Sequence, residues 1–222
     1  MSDIANHQRI NDILLGPLER PALKWMAAHM PAWVTPDHCT VFGVFGGMLT
    51  MLGYILTVYD RNFLWLASLG YVINWLGDSL DGNLARFRHI ERPIFGFYLD
   101  HTVDALIEVL IFVGLGLTPY VSFNVASLTL ISYLLLSVLV YIRTSVVGEF
   151  KISYGKLGPT EIRVLAILLN VAMYFGGVRM LSLGPVSFTP YDMVVGFIGL
   201  LLLLFFLVTA WKETVRLARI GQ

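Results

Sequence analysis

Six apolar stretches, each close to helix-spanning length and each closed by charge, proline or glycine, dominate this chain of 222 residues. They run over about 40–59, 63–87, 93–117, 121–147, 159–176 and 190–210. A helix needs ~20 mostly apolar residues to cross the hydrocarbon core, where every backbone polar group must be satisfied internally. The expected fold is therefore an all-α integral membrane protein with six transmembrane helices. With 57% hydrophobic and 14% charged residues, a soluble globule is excluded. Fifteen basic residues cancel fifteen acidic ones, so no bulk positive field exists to recruit nucleic acid. The single cysteine excludes an intrachain disulfide and a Cys-rich zinc site.

Ahead of the first run, residues 5–33 carry Ile10, Ile13, Leu14, Leu18, Leu23, Trp25, Met26 and Trp33 among Arg9, Arg20 and Lys24. This mixture predicts an N-terminal interfacial amphipathic helix, broken near Pro21, lying on the membrane surface. The N-terminal residues do not read as a signal peptide. The chain is expected to be one domain over 1–222, with the interfacial helix at 5–33 and the six-helix bundle at 40–212. Lys and Arg are retained on the cytoplasmic side of short loops. With six spans, Arg9, Arg20, Lys24, Arg86, Arg88, Arg92, Lys151, Lys156, Lys212, Arg216 and Arg219 fall on one side, and Arg61 and Arg179 on the other. Both termini are therefore expected in the cytoplasm.

Two of the runs contain residues that membrane helices avoid. Asp78 and Asp81 lie in the second, Asp100 and Asp104 in the third, and Glu108 sits one turn deeper. A carboxylate at a helix centre costs about 2.5–3.5 kcal/mol on insertion scales, and several together repel, so a compensating positive charge is required. Asp78, Gly82 and Ala85 share a helix face, and Gly96, Asp100, Asp104 and Glu108 recur every four residues. Asp78 lies eight residues before Arg86 and Asp100 eight after Arg92. At ~1.5 Å per residue, both are ~12 Å from the same loop and thus level with each other. Carboxylates meeting at one depth make a hard oxygen site for Mg²⁺, Mn²⁺ or Ca²⁺. Asp78, Asp81, Asp100 and Asp104 are the expected ligands of one or two such ions, which bind phosphates as well. The alternatives are interhelical ion pairs with Arg86, Arg88 or Arg143, and a divalent-cation channel or transporter. A pore requires polar residues to continue across the membrane, and Val109 to Leu117 are nearly all apolar or glycine.

The run Asp78-Ser79-Leu80-Asp81-Gly82-Asn83-Leu84-Ala85-Arg86, followed by Gly96, Asp100 and Asp104, resembles the signature of the CDP-alcohol phosphotransferase family. That signature reads D-x2-D-G-x2-A-R, a gap of about eight, then G-x3-D-x3-D. All eight fixed positions match. Nine residues, Phe87 to Phe95, fill the gap and are expected to form the connecting loop. The resemblance implies transfer of a phosphoalcohol from a CDP-linked donor to an acceptor hydroxyl, with release of CMP, in phospholipid synthesis. It implies that Asp78, Asp81 and Asp100 ligate Mg²⁺ or Mn²⁺. Asp104, also near the metal, would act as general base. Asp78, Gly82, Ala85 and Arg86 would receive the nucleotide. The donor expected is CDP-diacylglycerol. The alternative is a CDP-aminoalcohol with diacylglycerol as acceptor, which Leu99-Asp100-His101 resembles. The resemblance further implies a homodimer among membrane lipids, in a multi-pass bacterial inner-membrane setting with the active site cytoplasmic.

Outside the motif, Arg143, Lys156 and Arg163 are candidates for an acceptor or phosphate site, since Arg grips phosphate oxygens bidentately; the competing reading is anchoring at the membrane surface. Asn74 is expected to bond between helices, and Glu108 to pair structurally. His101 points off the carboxylate face, and His38 and Cys39 belong to the start of the first span.

Overall fold

The computed structural model describes residues 14–147 and 158–220, and the architecture is all-α apart from one short hairpin. The helices are α1 (Gly16–His29), α2 (Pro36–Leu56), α3 (Phe63–Arg88), α4 (Pro93–Gly116), α5 (Phe123–Val147), α6 (Pro159–Gly176) and α7 (Pro190–Ile220). Their starts follow local chemistry. Proline occupies the first turn of α1, α2, α4 and α6, where its missing N–H costs nothing. Thr35 caps α2: its Oγ1 accepts from the His38 N–H at 3.3 Å, and His38 Nδ1 accepts from the Thr35 N–H at 3.1 Å. His38 thus fills the capping-box place usually held by Glu or Gln.

Four helices are long and apolar enough to cross a membrane: α2, α5, α6 and α7. The other two expected spans, α3 and α4, have 26 and 24 residues but carry the acidic residues. Helix α7 continues past the expected boundary through the basic tail to Ile220.

Three further expectations are corrected. Helix α1 is not broken at Pro21, which lies inside it. The backbone bond lost there is offset by docking: Leu23 and Ala27 are buried in a cluster with Cys39, Leu80 and Leu84. Second, a two-stranded antiparallel hairpin, β1 (Leu181–Leu183) with β2 (Val186–Phe188), interrupts the helical chain between α6 and α7. Gly184, with φ +62°, supplies its left-handed turn. Third, the α3–α4 connection is shorter than expected. Helix α3 runs to Arg88 and α4 begins at Pro93, so the loop is 89–92 rather than 87–95. His89 ends α3 with φ 55°, and the His89 and Ile90 N–H groups bond back to Arg86 and Ala85 carbonyls. That is the left-handed C-terminal cap that glycine usually provides.

Glycines let α2 and α3 approach almost backbone to backbone. A Cβ built on Gly46 would lie 2.3 Å from the Asn74 nitrogen, and one on Gly77 would lie 2.3 Å from the Gly43 nitrogen. Helix α4 packs on the other side of α2, α5 joins α4 to α7, and α6 packs on α3. Buried polar pairs hold the bundle at depth: the Tyr54 hydroxyl donates to Asn170 Oδ1 at 2.9 Å, and Asn170 Nδ2 donates to Ser68 Oγ at 3.1 Å. At the opposite end, Asp192 accepts from the Ser122 and Thr189 N–H groups, which ties the starts of α5 and α7 together.

Helix α1 is fastened to the motif helix. The Arg88 guanidinium donates to four carbonyls of the α1–α2 turn: Met30 (3.1 Å), Pro31 (2.9 Å), Ala32 (3.4 Å) and Val34 (2.5 Å). Charge-assisted bonds are the strong ones, so Arg88→Met should release α1. Hydrogen exchange across 16–29 is expected to accelerate by roughly tenfold or more, the equivalent of one such bond. Unchanged exchange would show that the Leu23 and Ala27 packing suffices alone.

Candidate active site

The polar ends of α3 and α4 meet against α2. Asp78 and Asp81 from α3, and Asp100 and Asp104 from α4, line one cavity of about 10 Å³ together with Thr40, Gly43, Asn74, Val103 and Ile107. That volume holds about one water-sized occupant. The four acids expected to share one depth thus face a common space.

Each α3 acid is also engaged by a neighbour. Asp78 Oδ2 accepts from Arg163 Nη2 at 2.7 Å. Arg163 Nε donates to Asn74 Oδ1 at 2.9 Å, and Asn74 Nδ2 donates to the Gly43 carbonyl at 3.1 Å. Asp81 Oδ2 accepts from Thr40 Oγ1 at 2.8 Å, and its Oδ1 from the Gly82 N–H at 2.5 Å. The donor set suits a hard divalent cation: carboxylates and a hydroxyl around a space of ion size, without His or Cys. As placed, however, no group of three or more His, Cys, Asp or Glu among the described residues is gathered closely enough to hold a metal ion. Asp78 is bonded to Arg163 of α6, and Asp81 to Thr40 and the Gly82 N–H.

The remaining candidates fall as follows. A Cβ on Gly82 would meet Arg86 Nη1 at 3.2 Å, so the Arg86 side chain folds over the motif glycine. Gly96 faces open space, with nothing within 4 Å of an added Cβ. Ala85 lies half-buried on the same helix. Arg163 enters the carboxylate site itself. Arg143 lies apart from it, in an ion pair of 3.4 Å with Glu213 of α7, which also pairs with Arg216 at 3.0 Å. Lys156 and Lys151 lie outside the described residues. Glu108 is hydrogen-bonded to Tyr133 of α5. His101 packs against Phe97 and Tyr141, with centroids 4.2 and 5.0 Å away. It lines a second, mostly apolar cavity of about 330 Å³.

Thr40 was not foreseen, because a lone threonine on an apolar helix carries no pattern. The Arg163–Asp78 contact was missed because it joins residues 85 apart in sequence. Also unforeseen was the buttress behind the motif. Glu19 of α1 accepts from Ser79 Oγ at 3.5 Å and Thr160 Oγ1 at 2.8 Å, and Glu161 accepts from the Leu15 N–H at 2.8 Å.

The chain is similar to several known proteins. Bovine cholinephosphotransferase 1 is 28% identical over 164 residues, which is 70% of this chain and 40% of that protein. An uncharacterized protein of Aquifex aeolicus is 38% identical over 134 residues, 60% of each chain. The phosphatidylinositol phosphate synthase of Cutibacterium acnes is 35% identical over 92 residues, 40% of this chain and 41% of that one. The chain spans about two-fifths to one-half of the length of the cholinephosphotransferases it matches. Residues 33–215 match the CDP-alcohol phosphatidyltransferase family, a stretch that contains α2 to α6, most of α7 and all four carboxylates. With its apolar helices and its acidic motif, this chain belongs to that family.

Proposed function

We propose that this protein moves a phosphoalcohol from a CDP-linked donor to an acceptor hydroxyl, releasing CMP, with Mg²⁺ or Mn²⁺ held chiefly by Asp78, Asp81 and Asp100 and with Asp104 at the edge of the metal site. The observation that carries this reading is the shared cavity of the four acids. When bound, one or two cations neutralise charge on the diphosphate and make its phosphorus easier to attack. The attacking oxygen bonds to the phosphorus distal to cytidine, the bond from that phosphorus to the CMP oxygen breaks, and the hydroxyl proton passes to Asp104. Gly82, Ala85 and the open space at Gly96 leave room for the nucleotide, and Arg86 lies beside Gly82 to meet its phosphate.

Of the two donors, a CDP-aminoalcohol with diacylglycerol as acceptor draws on the relatives named cholinephosphotransferase. The CDP-diacylglycerol reading draws on the relative named phosphatidylinositol phosphate synthase.

In the same proposal α3 and α4 complete a six-span bundle forming a single domain, and α1 rests at the interface with Leu18 and Trp25 exposed. Both termini and the site face the cytoplasm of a multi-pass inner-membrane protein that forms a homodimer.

The test crosses CDP-choline, CDP-ethanolamine and CDP-diacylglycerol with diacylglycerol, serine, glycerol 3-phosphate and inositol phosphate, and measures CMP with and without EDTA. Release that needs a divalent cation and is greatest for a CDP-aminoalcohol with diacylglycerol is expected. Release only from CDP-diacylglycerol would exchange the donors. Cation flux in liposomes with no CMP from any pair would replace the enzyme by a channel.

A further inference from the structure

We infer that Arg163 regulates loading of the carboxylate site by competing with the divalent cation for Asp78, so that cation binding requires this arginine to give up one of its two partners. The inference rests on the metal-dependent reading above and concerns a step before any chemistry.

Two observations carry it. The first is that a fork-shaped contact joins Arg163 to both an acid and a neutral amide: Nη2 reaches Asp78 Oδ2 at 2.7 Å, and Nε reaches Asn74 Oδ1 at 2.9 Å. Both Asp78 and Asn74 line the shared cavity. The second is that Asn74 is fixed independently of the arginine. It is 1% exposed, and its amide nitrogen donates to the Gly43 carbonyl at 3.1 Å, which leaves its oxygen turned to Arg163. The arginine therefore keeps an anchor that a cation does not contest, while its hold on Asp78 is contested directly. With side chains 15% and 25% exposed, Arg163 and Asp78 interact where water screens them only partly. A cation that recruits Asp78 Oδ2 must therefore displace a guanidinium already bonded to that oxygen at 2.7 Å.

This differs from a purely structural ion pair in sign. If Arg163 only braced α3 against α6, its removal would disorder the site and weaken cation binding. If it competes, its removal must strengthen binding. Lysine separates direct competition from a general field effect: Arg163→Lys keeps the charge but cannot hold Asn74 and Asp78 as a fork.

The experiment measures binding of Mn²⁺ alone to the purified full chain in detergent, from the electron paramagnetic resonance of free Mn²⁺, for wild type, Arg163→Met and Arg163→Lys. The expected result is wild-type binding, about tenfold tighter binding in Arg163→Met, as for loss of one charge-assisted competitor, and a smaller gain in Arg163→Lys. Equal or weaker binding in Arg163→Met that elutes and melts as a folded protein would overturn the inference. A gain in Arg163→Met with Arg163→Lys at the wild-type value would also overturn it, since charge alone would then explain the effect. Should Arg163→Met not fold, the lysine variant decides by the same criterion. If none of the three proteins takes Mn²⁺, the cation reading fails and this inference with it, an outcome distinct from the others.

Discussion

Asp104→Asn should reduce kcat for CMP release by about 10³-fold, within the range for loss of a general base, while donor binding survives. The argument begins with what each acid already does. Arg163 engages Asp78, and both Thr40 and Gly82 engage Asp81. Neither side-chain donor reaches Asp104, which lines the cavity from the opposite helix, one turn beyond Asp100. A base must accept a proton during the reaction, and a carboxylate tied to a guanidinium or shared among donors is poorly able to do so. Asparagine preserves shape and one acceptor oxygen but has no lone pair basic enough to accept that proton, so its effect should fall mainly on turnover and not on the donor's affinity. Parallel measurement of kcat and of the equilibrium Kd for the CDP donor separates the two. A variant with near-normal kcat would remove Asp104 from this role, and one with lost donor binding and unaltered turnover of bound donor would assign it to the nucleotide.

The parts of this molecule that could be read in advance are those in which local composition decides. Helix-length apolar runs must become helices in a membrane, so most helix boundaries lie within a few residues of expectation. The four acids stood out because acids in hydrocarbon are costly, and the short connection placed them level. What could not be read depends on tertiary contacts. Pro21 signals a break, but the buried Leu23 and Ala27 faces hold α1 together through it. His89 adopts a left-handed conformation that its identity does not announce. Thr40 and Arg163 reach the site from helices remote in sequence, and only the packing of α2 and α6 on α3 brings them there. Ser182 and Ser187 pair across a hairpin of three-residue strands, too short for any periodicity to register.

Two glycines of similar appearance in the sequence should respond in opposite ways to the same substitution. Gly46→Ala places a methyl 2.3 Å from the Asn74 nitrogen and 2.8 Å from the Gly70 carbonyl oxygen. Both obstacles are backbone and cannot rotate aside, so α2 and α3 must separate. That separation strains the Asn74 to Gly43 bond and the Thr50 to Ala67 carbonyl bond at 3.3 Å. Overpacking of this kind costs about 3 kcal/mol, at the upper end of the usual range, which corresponds to roughly 10 °C in Tm. The damage should reach the site as well, because Gly43 and Asn74 line it. Gly96→Ala adds the same methyl where nothing lies within 4 Å and favours the helix, so Tm should hold or rise slightly. If that open space receives the nucleotide, Gly96→Ala should instead lower kcat/KM for the CDP donor. Thermal unfolding in detergent, beside donor kinetics, therefore distinguishes a glycine that serves packing from one that serves a ligand. A Tm loss in Gly96→Ala matching that of Gly46→Ala would refute the distinction, as would unimpaired stability in Gly46→Ala.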